Sequence, residues 1–313
     1  MDTDAHSWFE GRTHSYQQFS VDGLVARKVE TGLTVSVVLP CRNEVETVAE
    51  NIEAVASLAG GCGLVDELVV LDGSSTDGTA ERAAATGVPV YDDSRVLPDF
   101  GKSLGKGDAL WRGLAVTSGD IVAYCDSDIR KPHARYIWGL LGPLLDDPGI
   151  QLVKGFYDRP FEQDWASGGR VTELMARPLL NMFWPELAGI VQPLGGEYAG
   201  RRELFESIPF FTGYGVELGM LLDTVSAVGV DAIAQVDLVE RVHTNQPLAA
   251  LSRMAFAIAQ VAARRLTDEG RLRPGSAGRT DFMQFSRLDG RMTPQVCPVE
   301  VVERPPLRSL QGR

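Results

Sequence analysis

The sequence predicts an α/β protein built on a mostly parallel sheet with helices on both faces. Short apolar segments rich in β-branched residues alternate with segments of helical periodicity along the N-terminal half of the chain. Continuously apolar strands are typical of sheets buried on both sides, and their alternation with helices is typical of parallel connections. A chain of 313 residues is long enough for one elaborate α/β domain or for two domains.

The first strand and helix set this pattern. Residues 35–40 (VSVVLP) predict the strand, and residues 44–58 predict the helix that follows it. The apolar positions of that helix recur every three or four residues, at Val45, Val48, Ile52, Val55 and Leu58. The alternation then continues, with expected strands at 66–72, 88–92 and 120–126 and expected helices at 75–87 and 105–119.

Beyond residue 150 the alternation is less regular. The elements expected there are strands at 150–157 and 231–243 and helices at 168–184, 216–229 and about 248–267. The last of these helices is amphipathic. The Pro- and Arg-rich sequence RPPLRSLQGR (304–313) is expected to be a surface segment or a partner-binding arm.

Composition and charge narrow the class of protein. Hydrophobic residues make up 44% of the chain and charged residues 23%, which is ordinary for a globular protein. No apolar run approaches the length of a membrane span, and the N-terminus lacks the pattern of a secretory signal, so we expect a cytoplasmic protein. The net charge of −12 argues against binding to nucleic acid or to an anionic membrane. Four cysteines far apart suggest neither disulfides nor a zinc site.

Two carboxylates one residue apart follow the strand at 120–126. Because alternate residues of an extended chain point the same way, Asp126 and Asp128 can converge on one point and hold a hard divalent cation. An exposed turn would explain the same residues. The position favours a ligand site, since ligands bind at the carboxyl ends of parallel strands, where Asp72 also lies.

Two further polar clusters follow predicted strands. Residues 40–44 (PCRNE) break the first strand and open a helix, and residues 71–79 (LDGSSTDGT) place small and hydroxyl residues before the next helix. Each could be only a strand-to-helix turn or a helix cap. The glycines of the second cluster would also allow the backbone to approach a ribose or a base closely.

Taken in order, the motifs VVLPCRNE, VVLDGSSTDGT, GKGDALWRG and YCDSD resemble the nucleotide-sugar glycosyltransferases of GT-A fold, with D-S-D as their D-x-D metal motif. Motifs further along resemble the retaining glucosyl-3-phosphoglycerate synthases and their actinobacterial mannosyl-3-phosphoglycerate synthase relatives. These motifs are GPLLDDPGIQLVKGFYDRP, GGRVTELMARPLL, QPLGGEYAGRRELFESIPF, GYGVELGMLLDT, DAIAQVDLVERVHTN and VVERPPLR. The likeness covers roughly residues 35–267.

The resemblance implies a GT-A glycosyltransferase fold, with a mostly parallel Rossmann-like sheet, flanking helices and a C-terminal acceptor-binding extension. We accordingly divide the chain into an N-terminal extension (1–34), a nucleotide-sugar-binding half (35–160), an acceptor-binding half (161–270) and a C-terminal tail (271–313). The activity implied is metal-dependent transfer of glucose from UDP-glucose to 3-phosphoglycerate. A homodimer is implied as well.

The resemblance also implies roles for individual residues. Lys106 matches a lysine near the donor diphosphate, and Asp128 and His243 match protein ligands of Mg²⁺ or Mn²⁺. The residues implied in donor binding are Pro40, Arg42, Glu44, Asp72, Lys106, Asp126 and Arg241. Arg241, His243 and Asn245 alternate along the chain, so all three can point the same way from one strand end.

The acceptor site is implied at Gly169, Arg170, Thr172 and Asn245. The sequence SGGRVTE offers a physical reason, because glycines and an arginine at a helix start bring backbone N–H groups and a guanidinium to one anion. Taken alone, the same residues would suit a glycine turn with a solvent-facing arginine.

Glu217 is the acid expected nearest the transferred sugar, so the expected catalytic residues are Asp126, Asp128 and Glu217. Two routes retain the anomeric configuration. In one, a carboxylate attacks as nucleophile; in the other, the acceptor hydroxyl enters on the face that the diphosphate leaves and gives up its proton to it. The sequence leaves both open, and Glu217 is a candidate for orienting or stabilising the sugar.

Departures from the mycobacterial members leave the donor open. Gly73 and Gly195 stand where those members have serine, and Arg42 replaces an apolar residue. Mannosyl transfer from GDP-mannose is therefore the first alternative. A non-catalytic nucleotide-binding scaffold is the second, disfavoured by the joint presence of the site residues. An inverting polysaccharide synthase is disfavoured because neither membrane spans nor a Q-x-x-R-W motif is visible.

Overall fold

The computed structural model describes residues 3–159, 169–242, 246–275 and 280–310. His243 and Asn245 lie outside these residues. The helices are α1 (Thr3–Arg12), α2 (Val21–Thr31), α3 (Val48–Ala56), α4 (Thr79–Ala84), α5 (Lys106–Ala115), α6 (Arg135–Asp146), α7 (Arg177–Phe183), α8 (Arg202–Ser207), α9 (Val216–Val228) and α10 (Leu248–Asp268). A π-helical turn, Thr172–Ala176, precedes α7.

The strands form one large sheet and two small ones. They are β1 (Thr13–Ser15), β2 (Val35–Cys41), β3 (Glu67–Asp72), β4 (Val90–Asp92), β5 (Ile121–Tyr124), β6 (Leu152–Asp158), β7 (Tyr198–Arg201), β8 (Phe210–Phe211), β9 (Ile233–Glu240), β10 (Asp281–Leu288), β11 (Arg291–Pro298) and β12 (Glu303–Arg304). The large sheet has the order β1-β9-β6-β7-β5-β2-β3-β4. The β10–β11 hairpin and the β12–β8 pair stand apart from it.

The large sheet is mostly parallel, which confirms the predicted fold class. Only β7, among the described strands of this sheet, runs antiparallel to its neighbours β5 and β6. The parallel register places Cys41 at the end of β2 beside Asp72 at the end of β3. Strands β5, β2, β3 and β4 therefore end along one edge of the sheet, where ligands are expected.

Alternating side chains of the strands feed two hydrophobic cores, one on each face of the sheet. In β2, Val37 and Leu39 join the core covered by α2, α3 and α6. Val38 points the other way and joins the core formed with α5, α9 and α10. Every one of these three side chains is fully buried. This two-sided burial is why the strand reads as an uninterrupted apolar run.

The sequence did not predict several elements that the structure contains. Helices α1, α2 and α6, strand β7 and the β10–β11 hairpin are all additional. Helix α6 contains Pro143 in its last turn, and the four residues of β7 include Gly200. Proline disfavours a helix and glycine disfavours a strand, so at these two places tertiary packing overrides the local preference of the sequence. No helix of the described residues is long and apolar enough to cross a bilayer.

The expectation that residues 304–313 form a surface segment or a partner-binding arm was wrong for the described part, 304–310. Arg304 and Leu307 are buried, and β12 pairs with β8. The Arg304 guanidinium donates to Asp108 of α5 at 2.6 and 3.0 Å. It also donates to the carbonyl oxygen of Phe100 at 2.9 Å. A buried carboxylate needs this partner, so the segment packs against the body of the protein.

Candidate active site

A cavity of about 640 Å³ opens at the edge where β2, β3 and β5 end. Eleven of the residues proposed from the sequence line it: Pro40, Arg42, Glu44, Lys106, Asp126, Asp128, Gly169, Arg170, Thr172, Glu217 and Arg241. Asp72 is not among the lining residues. Its carboxylate accepts the backbone N–H of Ser75 at 3.0 Å and so shapes the loop whose Gly73 and Ser74 do line the cavity.

Lys106, at the start of α5, joins two carboxylates from other elements. Its Nζ lies 2.6 Å from Asp126 Oδ1 and 2.9 Å from Glu217 Oε1. Burial by itself would lower the pKa of Lys106, but the attraction of Asp126 and Glu217 outweighs it and raises the pKa. One ammonium therefore fixes the position of both acids.

Arg241 approaches the same carboxylates from the end of β9. Its Nη2 lies 3.0 Å from Asp126 Oδ2 and 2.5 Å from Asp128 Oδ1. Burial alone would raise the pKa of Asp126, but Lys106 and Arg241 more than offset it, and the pKa lies below its usual value. The two acids of the D-S-D motif thus share one guanidinium, which relieves the repulsion between them.

Behind Arg241 lies a buried pair that the sequence did not reveal. Arg241 Nη1 donates to the Tyr157 hydroxyl at 2.9 Å and lies 3.4 Å from Glu197 Oε1. The Tyr157 hydroxyl in turn donates to Glu197. Glu197 is fully buried, so its charge depends on Arg241 for a partner. The signal available in the sequence was a charged residue between the apolar segments 190–194 and 198–199, which is weak.

Gly196 lines the cavity beside Asp126, and a second glycine, Gly195, precedes it. A Cβ built on Gly196 would lie 2.2 Å from Asp126 Oδ2 and 2.6 Å from Lys106 Nζ. A Cβ on Gly195 would lie 2.9 Å from the carbonyl oxygen of Gly155. A side chain at Gly196 would therefore collide with the Lys106–Asp126 ion pair, and a side chain at Gly195 would require the backbone to shift.

The cavity is also lined by the start of the helix that contains the π-helical turn. Gly169, Arg170 and Thr172 lie there, and Arg170 Nη2 donates to the backbone oxygen of Gln246 at 2.9 Å. A helix start leaves backbone N–H groups without intrahelical partners, which suits an anion. The apolar side chains on this side, Leu251, Met254 and Ile258, come from α10.

Other lining residues were not proposed from the sequence. Lys102 and Ser103 come from the loop before α5, Tyr214 from the turn before α9, and Arg159 from the segment after β6. Arg159 donates to the Tyr157 hydroxyl at 2.9 Å. The loop before α5 is held by Arg112, which donates to the carbonyl oxygen of Gly101 at 2.8 Å. Loop residues of this kind carry no periodic pattern, so only the fold brings them to the cavity.

The residues present fit a divalent cation. Asp128 supplies hard oxygen ligands, and the guanidinium contact at 2.5 Å marks a position where positive charge is favourable. Within the ranges that the structure covers, no three His, Cys, Asp or Glu side chains are placed to hold a metal ion together. His243, the second expected protein ligand, lies outside those ranges. A cation held by so few protein groups would need oxygens of a bound substrate to complete its coordination.

Comparison with known proteins gives a consistent result. Residues 36–214 match the family described as glycosyl transferase family 2. The glucosyl-3-phosphoglycerate synthase of Mycolicibacterium smegmatis is 47% identical over 312 residues, which cover 98% of this chain and 99% of that protein.

Solved structures match over nearly the whole chain. Mannosyl-3-phosphoglycerate synthase from Rubrobacter xylanophilus has a TM-score of 0.92 and 46% identity, with 98% of each chain covered. Glucosyl-3-phosphoglycerate synthase from Mycobacterium tuberculosis, in complex with Mn²⁺, UDP-glucose and phosphoglyceric acid, has a TM-score of 0.82 and 45% identity, with 94% of this chain and 96% of that chain covered. Another structure of that enzyme contains Mg²⁺ and UDP.

Proposed function

Since the chain belongs to glycosyl transferase family 2 and, within it, to the glucosyl-3-phosphoglycerate synthases, we propose that it transfers glucose from UDP-glucose to 3-phosphoglycerate. It is a glycosyltransferase. The observation that carries the substrate assignment is the layout of one cavity. The D-S-D carboxylates, the loops after β2 and β3, and Arg170 all line it.

The donor would lie along the strand ends. Pro40, Arg42 and Glu44 line the part of the cavity formed by the loop after β2, which suits the nucleoside. Lys106 and Arg241 carry the positive charge that the diphosphate needs. Homologous structures contain Mn²⁺ or Mg²⁺ together with UDP. When bound, such a cation neutralises the charge that develops on the departing UDP; Asp128 and His243 would hold it.

For the transfer we favour entry of the acceptor on the face that UDP leaves. The bond from the anomeric carbon to the diphosphate oxygen breaks, the bond to the acceptor hydroxyl oxygen forms on that face, and the hydroxyl proton passes to the diphosphate. Glu217 then orients the sugar and stabilises its positive charge. Its pairing with Lys106 at 2.9 Å supports this role, because an ion-paired carboxylate is a weak nucleophile.

The acceptor would lie at the helix that begins at Arg170. The phosphate and carboxylate of 3-phosphoglycerate need cationic and N–H donors, and Arg170, with the backbone from Gly169, supplies both. Thr172 is buried at the same helix start. Asn245 remains a prediction from the sequence, because it lies outside the described residues.

A donor panel tests this function. UDP-glucose, GDP-glucose, UDP-mannose and GDP-mannose are each offered with 3-phosphoglycerate and Mg²⁺, and we expect the highest kcat/KM with UDP-glucose. Mannosyl transfer from GDP-mannose is the second candidate, favoured by the TM-score of 0.92 to the mannosyl enzyme. A preference for GDP-mannose would overturn the glucosyl assignment. The absence of turnover with all four donors would favour a non-catalytic nucleotide-binding scaffold.

We further propose a homodimer that forms through the β10–β11 hairpin. Cross-strand register places Met283 opposite Val296 and Arg287 opposite Met292 on one face of the hairpin. Met283, Phe285, Met292 and Val296 are each more than half exposed. They are four of the fourteen large hydrophobic side chains that are exposed among the described residues. An apolar face of this kind usually has a partner.

Charge supports a second copy as that partner. Asp281 and Arg287 lie at opposite ends of β10 and are exposed. A two-fold axis through the middle of the hairpin would bring Asp281 of one copy close to Arg287 of the other copy, and the reverse. Sedimentation should therefore give twice the chain mass of 34.0 kDa for the wild type and the single mass for Phe285→Asp. A monomeric wild type, or a Phe285→Asp dimer, would exclude this interface.

The cytoplasmic location expected from the sequence stays a prediction. The proposed substrates support it, because nucleotide sugars and phosphorylated acids are charged and do not cross membranes unaided.

A further inference from the structure

Lys154 is a buried lysine to which the transfer described above assigns no role. It lies in β6 with 1% of its surface exposed. Its Nζ donates to the carbonyl oxygen of Gly195 at 2.5 Å and lies 4.5 Å from the centre of the Tyr198 ring. Lysine is rarely buried in this way unless its ammonium has a specific partner. The partner here is a backbone carbonyl rather than a carboxylate.

The carbonyl that Lys154 holds belongs to the residue that directly precedes the cavity wall at Gly196. Gly195 precedes Gly196, whose Cα faces the Lys106–Asp126 pair so closely that a Cβ would lie 2.2 Å from Asp126 Oδ2. The other hydrogen bonds described for the backbone of these two glycines and of Glu197 run from Gly195 N–H to the Gln192 carbonyl oxygen and from Gly155 N–H to the Glu197 carbonyl oxygen. Two successive glycines have wide conformational freedom, so this wall keeps its position only if its peptide groups are held.

We propose that Lys154 is a positioning residue for the transferred sugar, because it fixes the Gly195–Gly196 backbone against Asp126 and Lys106. This inference rests on the proposed function and extends it to a residue that lines no part of the cavity. The loops after β2 and β3, which would hold the nucleoside, have no described hydrogen bond with Lys154. The residue therefore acts on the sugar and leaves the nucleotide unaffected.

The test compares Lys154→Met with a matched control. Lys28 is also a buried lysine that donates to a glycine carbonyl, that of Gly63 at 2.7 Å, but it lies outside the cavity and pairs with Asp66. Each variant loses the ammonium group and keeps a side chain of similar length. For each, kcat and KM with UDP-glucose are measured at a temperature where the protein is folded, together with the affinity for UDP in the presence of Mg²⁺.

For Lys154→Met we expect kcat/KM with UDP-glucose to fall about 10- to 100-fold, as a small misplacement of a reacting group would cause. The affinity for UDP should stay within about two-fold of the wild-type value, because the contacts that bind the nucleotide equally in the ground state and the transition state are unchanged. Lys28→Met should lower Tm and leave both kinetic constants unchanged. Wild-type kinetics for Lys154→Met, or equal losses of UDP and UDP-glucose affinity, would overturn the inference.

A second variant reaches the same backbone from the other side and serves if Lys154→Met does not fold. In Gly195→Ala the new Cβ would lie 2.9 Å from the Gly155 carbonyl oxygen and 3.3 Å from that of Gln192, so the wall must shift. The same loss with the sugar donor and the same retained UDP affinity are expected, and unchanged kcat/KM would contradict the proposal. The wild type in the donor panel tests the proposed function separately. If it prefers another donor, the variants are compared with that donor and its nucleoside diphosphate.

Discussion

The Nη2 atom of Arg241 lies 2.5 Å from Oδ1 of Asp128, at the point where the D-S-D motif leaves β5. The same guanidinium contacts Asp126, and Tyr157 and Glu197 hold it from behind. A cation and a diphosphate that bound at Asp128, as we propose, would compete with this existing ion pair. Arg241 would then exchange the Asp128 carboxylate for the donor diphosphate and remain paired in both states of the site.

Activity should require Mg²⁺ or Mn²⁺, and Asp128→Ala should reduce turnover to background, because it removes the carboxylate that would hold the cation. Excess EDTA should abolish wild-type turnover, and either metal should restore it. Asp22→Ala, at an exposed position in α2, is the control and should retain full activity. Full activity in excess EDTA would contradict the prediction. His243→Ala is expected to weaken the metal dependence or to lower kcat.

Arg170→Ala should raise KM for 3-phosphoglycerate and leave donor binding nearly unchanged. A lost charge-assisted contact of about 1.5–3 kcal/mol corresponds to about a 10- to 150-fold rise. Arg177→Ala is the matched control, since Arg177 lies on the same helix but pairs with Glu173 outside the cavity.

Glycerate, which lacks the phosphate, adds a second arm to this experiment. It should be a poor acceptor for the wild type, and Arg170→Ala should then cause little further loss, because the group that the arginine binds is absent. Loss of donor affinity alone in Arg170→Ala would show that the acceptor site has been placed wrongly.

Lys154 should give opposite pH dependences for activity and stability. Burial lowers its pKa to about 8, below the ordinary value of 10.5. Between these pH values the unfolded chain binds a proton there and the folded chain does not, so this group makes the folded state more stable as the pH rises. Above pH 8 its neutral amine is a weaker donor to Gly195. The charged groups around it are Glu217, Glu197, Asp126 and Lys106.

The comparison is made against Lys154→Met from about pH 7 to 10, so that other titrations cancel. The ratio of wild-type to variant kcat/KM with the sugar donor should fall through about pH 8, while the Tm difference shifts in favour of the wild type. A parallel fall of both quantities would indicate alkaline denaturation and would contradict the assignment to this residue.

Arg304→Ala should destabilise the protein strongly, because it leaves the buried Asp108 with one partner fewer. Breaking a buried pair of this kind costs about 3–5 kcal/mol, measured as the free energy of unfolding. Arg308→Ala is the control from the same segment, since its side chain is 56% exposed and lies 3.9 Å from Glu203. If both changes lowered the free energy of unfolding equally, the contact between Arg304 and Asp108 would contribute no more to stability than an exposed ion pair does.

Much of the fold could be predicted because buried parallel strands such as Val35–Cys41 are apolar without interruption. The position of Asp126 and Asp128 followed from the same pattern, since residues at strand ends meet at one edge of a parallel sheet. Strand β7 was missed because its four residues are few and include a glycine, and its pairing with β5 and β6 is decided by packing alone. The hairpin at 281–298 was missed because prolines and exposed methionines interrupt the alternation of polar and apolar residues by which a strand is recognised.

The site residues outside the motifs could not be found in this way. Glu197 and Lys154 are isolated charged residues in the sequence, and their partners lie about 40 residues away along the chain. Only the sheet, by placing β6 beside β7, brings them together. A buried charge becomes visible as a functional candidate once its surroundings are known, and the sequence does not contain those surroundings in any local pattern.

The contact between Arg304 and Asp108 joins residues 196 positions apart in the sequence. Contacts between residues so far apart form slowly, because a long loop of chain has to close first. Until this contact forms, Asp108 lacks its second arginine and the loop before α5 lacks the donor to Phe100. Proteolytic removal of residues 304–310 should therefore leave the sheet folded and the helix that begins at Lys106 poorly held. The integrity of the cavity thus depends on Arg304, which lines no part of it.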